Sequence, residues 1–411
     1  MPLVDLTAPA GVVTEITDYQ AGLRFTNADK VRFKYDQAEK IGGWKKRDSS
    51  TSAMSGVPRN IFPHRDKDGR KMVLFGTSTH VYCEQGGVIQ DITPYKTADV
   101  NLTNPFTTGS AGSSTITVTD AGNTIAQTSP PSRIVISSIA SGTFDGITIT
   151  AGEYLATYVS ATQYTITAVA GTGASISGTA SSGSTTGGGA VVLRYLVSNG
   201  PSDGLTGFGF GAGLWSSSTW GTARSTSGVV LSPRVWTMDA WGEDIIASIG
   251  GGEDTLYYFD ISAFIAAPST YRGSTLGQYV TSVGGDATSI PTKVGVVLVS
   301  TPDRHIVVFG SNPEGSSTYD RLTVRWCSQE SLSDWNTQIT NTAGATRLGT
   351  GTNIEAAAKA RGQMILWTDV DMYSMQFTGP PFTFSFQQLG EASGTISKNS
   401  PAMIEGGAFW M

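Results

Sequence analysis

One local unit recurs along this chain and limits what it can become. A short apolar run is followed by a turn, then by a second run rich in aromatic and β-branched residues. It is legible in KMVLFGTSTHVYCEQGGVIQDIT (71–93), EDIIASIGGGEDTLYYFDIS (243–262), KVGVVLVSTPDRHIVVFGSN (293–312) and GQMILWTDVDMYSMQFTG (362–379). Runs of that length, bounded by turns such as GGGED, TPDR and TDVD, predict pairs of strands. A unit of this size cannot bury both of its faces alone, so the copies are expected to stack. With about a hundred inserted residues set aside, they recur at roughly 50 to 70 residues, near the blade spacing of a β-propeller though long for one. The expected fold class is therefore all-β: a β-propeller carrying an inserted small β-sandwich or barrel. The last residues, GGAFWM (406–411), begin another such strand, which predicts a propeller incomplete as given and continued by further chain.

Composition agrees with many short strands. Charged side chains make up 15 % of the chain, against about 25 % in an ordinary soluble domain. Gly, Ser and Thr take their place, which disfavours long helices. The best helix candidate is TNIEAAAKARG (352–362), with Glu355 and Lys359 one turn apart and a glycine stop, although an alanine-rich strand fits it too. The formal net charge of -6 argues against a protein built to grip phosphates, but not against one that lets nucleic acid pass. MPLVDLTAPAGVVTEITDYQ (1–20) lacks the basic start and apolar core of a signal peptide. VGVVLVS (294–300) is strand length and too short to span a bilayer. Cys83 and Cys327 lie far apart and are expected to be two separate buried thiols.

The composition changes near Thr97 and changes back near Val197. Between Val100 and Val197 the only charged side chains are Asp120, Arg133, Asp145, Glu153 and Arg194. Apolar alternation in STITVTD (114–120), RIVISSI (133–139), DGITIT (145–150) and QYTITAV (163–169) predicts at least four strands with one buried face. SGTASSGSTTGGGA (177–190) reads as a flexible loop tip. The expected organisation is an N-terminal segment with the first blade (1–98), the inserted domain (99–197) and the remaining blades (198–411).

GFGFGAG (207–213) formally satisfies a dinucleotide-binding fingerprint through Gly207, Gly209 and Ala212. That fingerprint needs a buried strand before it and a helix after it. PSDGLT precedes it and LWSSSTWGTARSTSG follows, and neither suits. As extended backbone, the four glycines share one face while Phe208, Phe210, Ala212 and Leu214 share the other. A close-packed joint, covered by Trp215 and Trp220, is the better reading.

Other chemistry finds little footing. There is no phosphate-binding loop and no nucleophile elbow. His64, His80 and His305 lack metal-ligand spacing and read as strand or turn residues. Asp66, Asp68 and Gly69 lack the remaining ligands of a calcium loop and suit a hairpin turn, as do Asp369 and Asp371. Lys45, Lys46 and Arg47 read as a solvated turn. No local carboxylate pair suggests a glycosidase. The expectation is no enzyme, no catalytic residues, no metal and no cofactor.

The order of motifs resembles a family of tailed-phage virion proteins, structural or packaged-DNA stabilisation proteins related to the nozzle (tail tubular protein B) of short-tailed phages. The resemblance runs through LRFTNADKVRFKYDQAEKIGGWKK (23–46), GTSTHVYCEQGGVIQDITPYK (76–96), the GFGFGAG joint and RVWTMDAWGEDIIAS (234–248). It continues through RWCSQESLSDWNTQITNTAGATRLGTG (325–351), ILWTDVDMYSMQFTGPPFTFSFQQLG (365–390) and the final Phe-Trp-Met. Relatives continue well past that point. The insert is similar to small β modules of phage tail proteins.

The resemblance implies a propeller-bearing subunit, made in the host cytoplasm and located in the virion. Six copies would form a ring below the portal and its adaptor, meeting through heterologous contacts. The ring would narrow or close the DNA exit channel until ejection. Implied partners are other copies, portal-adaptor and tail proteins, tail fibres or spikes, DNA passing without sequence-specific binding, and the host envelope. Six copies would carry roughly -36, a field that repels DNA rather than holding it. The alternative is a receptor- or glycan-binding tail adhesin using the insert, with Tyr154, Tyr158 and Tyr164 stacking on sugars. A hydrolase acting on the cell envelope would need a carboxylate pair in a cleft.

Overall fold

The computed structural model describes residues 9–35, 37–41, 54–125, 132–197, 199, 233–252, 254–405 and 407–411. The glycine joint at 207–213 and the basic run at 45–47 lie outside them. The chain divides into two units, 1–51 and 52–411. In the first, Val31–Lys34 pairs with Gln37–Lys40 as a hairpin. Arg32 meets Glu39 across it at 2.8 Å, and Phe25 packs on Phe33.

The second unit holds four four-stranded antiparallel sheets, each a meander in chain order. The first comprises Pro58–Arg65, Lys71–Thr77, Val81–Gln85 and Val88–Asp91. The second comprises Thr237–Trp241, Asp244–Ser248, Tyr257–Phe259 and Ser274–Thr275. The third is formed by Val294–Val299, Ile306–Ser311, Asp320–Trp326 and Gly344–Arg347. Ile354–Ala360, Gln363–Thr368, Met372–Gly379 and Thr383–Gly390 make the fourth. A hairpin of Ala402–Ile404 and Gly407–Phe409 follows.

Side-chain alternation explains why these sheets stack. Successive residues of a strand point to opposite faces. In Asp244–Ser248, Ile245 and Ala247 pack with Leu74 and Cys83 of the first sheet, while Ile246 packs with Val297 and Val308 of the third. In Ile306–Ser311, Ile306 and Val308 face the second sheet, and Val307 and Phe309 face Leu366 and Met375 of the fourth. Ile365 and Trp367 turn the other way, onto Met403 and Ala408 of the hairpin. Strands apolar on both faces are therefore the middle layers of a stack, and each such side chain contributes about 1.5–3 kcal/mol by burial. The opening strands of consecutive sheets also lie against one another.

The first and fourth sheets share detail at the level of single atoms. Thr77 and Thr368 each close the turn between the second and third strands. Their hydroxyls accept from the backbone N–H of His80 and Asp371, at 2.9 and 2.8 Å. Two residues further on, Tyr82 and Tyr373 bond Ser55 and Thr350, which precede the opening strands of their sheets. GTSTHVY and WTDVDMY thus encode one turn twice.

The insert is a closed six-stranded barrel. Its strands follow the order Ser132–Ser141, Gly152–Ser160, Gln163–Ala168, Ile116–Thr119, Phe106–Thr108 and Thr186–Tyr195, which pairs back with Ser132–Ser141. Val100–Thr103 joins the flank of Thr186–Tyr195. A barrel this narrow is filled by its own side chains, here Phe106, Ile134, Ile136, Tyr154, Tyr164, Ile166 and Leu193. All four runs predicted as strands in this segment are strands.

Two expectations need correction. Residues 352–362 contain the strand Ile354–Ala360, the alternative their sequence allowed, and not the helix. Ile354 and Ala356 are buried, and pairing with Gln363–Thr368 outweighs the helical preference of alanine. Residues 177–190 are not a free loop tip. Ile176–Gly178 and Thr186–Tyr195 enter them from both sides, and the Asp145 carboxylate accepts from the N–H groups of Ser182 and Gly183 between. Two short helices had no forecast. Ile261–Ala266 is capped by Asp260, and Leu276–Ser282 by a reciprocal Thr275–Gln278 box. No helix among the described residues is long and apolar enough to cross a membrane.

Candidate functional site

The most developed polar arrangement is the joint between barrel and sheets. Residues 92–97 leave the first sheet and residues 195–197 leave the barrel, and the two segments pair. Lys96 N–H donates to the Tyr195 carbonyl at 2.8 Å, and Val197 N–H to that of Pro94 at 3.4 Å. Tyr95 and Leu196 form a bridge. The joint is also fastened to the second sheet. Tyr95 N–H donates to the Gly273 carbonyl at 3.0 Å, and Lys96 pairs with the buried Asp254 at 2.9 Å. Arg272 holds Asp91 through both its carboxylate, at 2.6 Å, and its backbone carbonyl.

Glu153 sits at the base of the barrel, 6 % exposed, and joins it to the first sheet. Arg133 of the neighbouring barrel strand donates to Oε1. His80 Nε2 lies 3.4 Å from Oε2, and its Nδ1 meets Thr79 Oγ1 at 2.9 Å. Burial raises the affinity of Glu153 for a proton. The hydrogen bond and charge of His80, with Arg133, outweigh that and hold the carboxyl below the ordinary glutamate range.

His80, Asp91 and Glu153 bring three potential ligand atoms within 4.8 Å of one another, close enough to consider a metal ion. The surrounding charges do not fit one. Arg133 already neutralises Glu153, and Arg272 neutralises Asp91, whose Oδ1 accepts from Thr93 N–H and hydroxyl. A divalent cation there would sit between two carboxylates whose charge is already offset by guanidinium groups. The arrangement works instead as an ion-paired weld.

The other charges of the insert are used similarly. Asp120 accepts from the Tyr195 hydroxyl inside the barrel, and that hydroxyl also meets Tyr164 at 3.2 Å. Arg194 pairs with Asp99, its Nη2 at 3.0 Å, and lies over the Tyr95 ring. Asp145 is held well below the usual carboxylate range by hydrogen bonds from Ser182, Thr108 and Gly183. All five charges retained between Val100 and Val197 therefore fasten structure, a role that composition alone did not disclose.

The remaining candidates are structural in their surroundings. Cys83 and Cys327 are free, separate and buried, as expected, and burial pushes both thiols up to about 12. His305 is buried beside Phe377 and Phe384, and desolvation lowers it to about 4. His64 lies in a strand and its Nε2 meets the Glu243 carbonyl at 2.7 Å. Asp66 closes the turn to Arg70, and Asp369 and Asp371 belong to the Thr368 turn. Tyr154 and Tyr164 are fully buried in the barrel, and Tyr158 packs partly buried at its edge. No family model matches the chain, and no curated protein matches it in sequence.

Proposed function

We propose that this chain is a non-enzymatic structural protein of a phage tail, a nozzle or hub subunit whose stacked sheets are blades of a β-propeller. The observation that carries this reading is a contact between the two ends of the stack. Asn399, beyond the fourth sheet, donates its side-chain amide to the Arg59 carbonyl in the opening strand of the first, at 3.2 Å. Meander sheets with adjoining opening strands, returning to the start, suit blades set around one axis. A rigid body of that kind can present loops and an appended barrel to neighbours.

In this reading, six copies form a ring below the portal-adaptor, and the DNA exit channel runs along its axis. The barrel is a contact module, welded at Glu153 so that load on it reaches the propeller. The adhesin alternative loses support because Tyr154 and Tyr164 cannot offer their faces to a sugar while buried.

Imaging of purified particles tests the proposal. The expected result is this chain on the tail axis in a ring of six. A particle lacking the chain, or a lone monomer that turns over a substrate, overturns it.

A further inference from the structure

We infer that the third sheet carries a binding site for a small anionic saccharide, a sugar acid or sugar phosphate. The site is a cavity of about 590 Å³ formed by the loops at 288–292, 312–317 and 336–338. Its volume lies within the range of small-molecule sites, roughly 300–1,000 Å³.

Arg325 forms part of its wall and is 2 % exposed. Its Nη1 donates to the Asn312 carbonyl at 3.2 Å, and Nη2 to those of Ser289 and Trp335 at 3.1 and 3.2 Å. A guanidinium has five N–H donors. Nε, itself buried, has no partner among the described residues. Among the described residues no carboxylate comes within ion-pairing distance of Arg325, and Glu314 acts on it only from further off. A buried cation facing carbonyl dipoles alone is incompletely compensated. A clamp on three loops would explain the carbonyl bonds, but it would leave the guanidinium charge beside the cavity without a counter-ion.

The rest of the lining selects a hydroxylated ligand. Thr292, Ser317, Asn336, Thr337 and Gln338 border the cavity, and among the described residues their side chains make no hydrogen bond. Glu314, at the rim, already accepts from Thr337 N–H at 3.2 Å and leaves its other oxygen for a sugar hydroxyl. Hydroxyls and amides can both donate and accept, as sugar hydroxyls do. Among the described residues, the only large apolar side chain in the lining is Ile290, which suits a polar ligand better than a flat apolar one.

Calorimetric titration of the full chain tests this with four probes: glucuronate, glucose 6-phosphate, glucose and inorganic phosphate. We expect at least one anionic sugar to bind tenfold or more tighter than both glucose and inorganic phosphate. Ser317→Glu, an exposed substitution at the rim, and Arg325→Met should each weaken that binding about tenfold or more. The exposed variant keeps the test decisive if Arg325→Met fails to fold. No binding by either anionic sugar overturns the inference, as does equal binding of glucose, equal binding of phosphate, or full retention of binding in Ser317→Glu. The readout is independent of any place in a particle, so the ring proposal can fail while this one stands.

Discussion

The ammonium group of Lys398 occupies the space that a side chain on Gly250 would need. Gly250 has φ +73°, and a Cβ there would collide with Lys398 Nζ and approach the Gly295 carbonyl at 3.2 Å. Lys398 follows the fourth sheet, Gly250 follows a strand of the second, and Gly295 opens the third. The contact therefore links three layers of the stack through one absent methyl group.

Gly250→Ala should destabilise the chain by about 2 kcal/mol, from the left-handed backbone and from displacement of Lys398. Removing the lysine should relieve part of that loss. A double-mutant cycle with Lys398→Ala in urea denaturation should give a coupling energy above ~0.5 kcal/mol. Strict additivity would show that the two positions do not meet.

The same lysine predicts a rise of stability in alkali. Burial lowers Lys398 to about 8 from an ordinary 10.5, with Glu355 opposing and Arg234 adding to the shift. Between those values the unfolded chain binds more protons than the folded one, so stability increases with pH across that window. Below about pH 8 the burden of burying the charge is present in full. Denaturation midpoints between pH 7.5 and 10, compared with Lys398→Met, should show a relative gain in the native chain only.

Glu153→Ala should cost about 3 kcal/mol, because it leaves the half-buried Arg133 without its partner and removes the bond to His80. Chemical denaturation measures the loss. Hydrogen exchange should show its largest change in residues 132–136, 152–156 and 77–82, on the two sides of the weld. An effect confined to the barrel would mean that His80 contributes nothing to the joint.

Neither thiol should react in the native state. Cys83 and Cys327 are 1 % and 0 % exposed, with thiols pushed up to about 12. Alkylation by iodoacetamide at pH 8 should be negligible over hours and become complete in denaturant. Rapid labelling of either cysteine without denaturant would contradict the packing described.

Local pattern was enough to establish two adjacent strands in each of the four sheets. Apolar runs such as VGVVLV and IVVFGS are read without knowledge of their neighbours, because side-chain direction alternates in any strand. The paired turns at Thr77 and Thr368 were present as GTSTHVY and WTDVDMY, and the separate thiols followed from two cysteines far apart in the chain. The T-L-G-Q capping box at Thr275 was also visible in principle, although its helix is short.

Other features depended on partners distant in the chain. EAAAK at 355–359 satisfies helical spacing and became strand because Gln363–Thr368 offered its backbone groups and the interior received Ala356. The Ser- and Gly-rich stretch at 177–190 looked unanchored until Asp145 supplied its carboxylate. His80 and Glu153, 73 positions apart, meet only because the barrel returns its base to the first sheet. A sequence determines its strands through short-range sterics and alternation, whereas the pairing of charges across the fold is decided by which surfaces burial brings together.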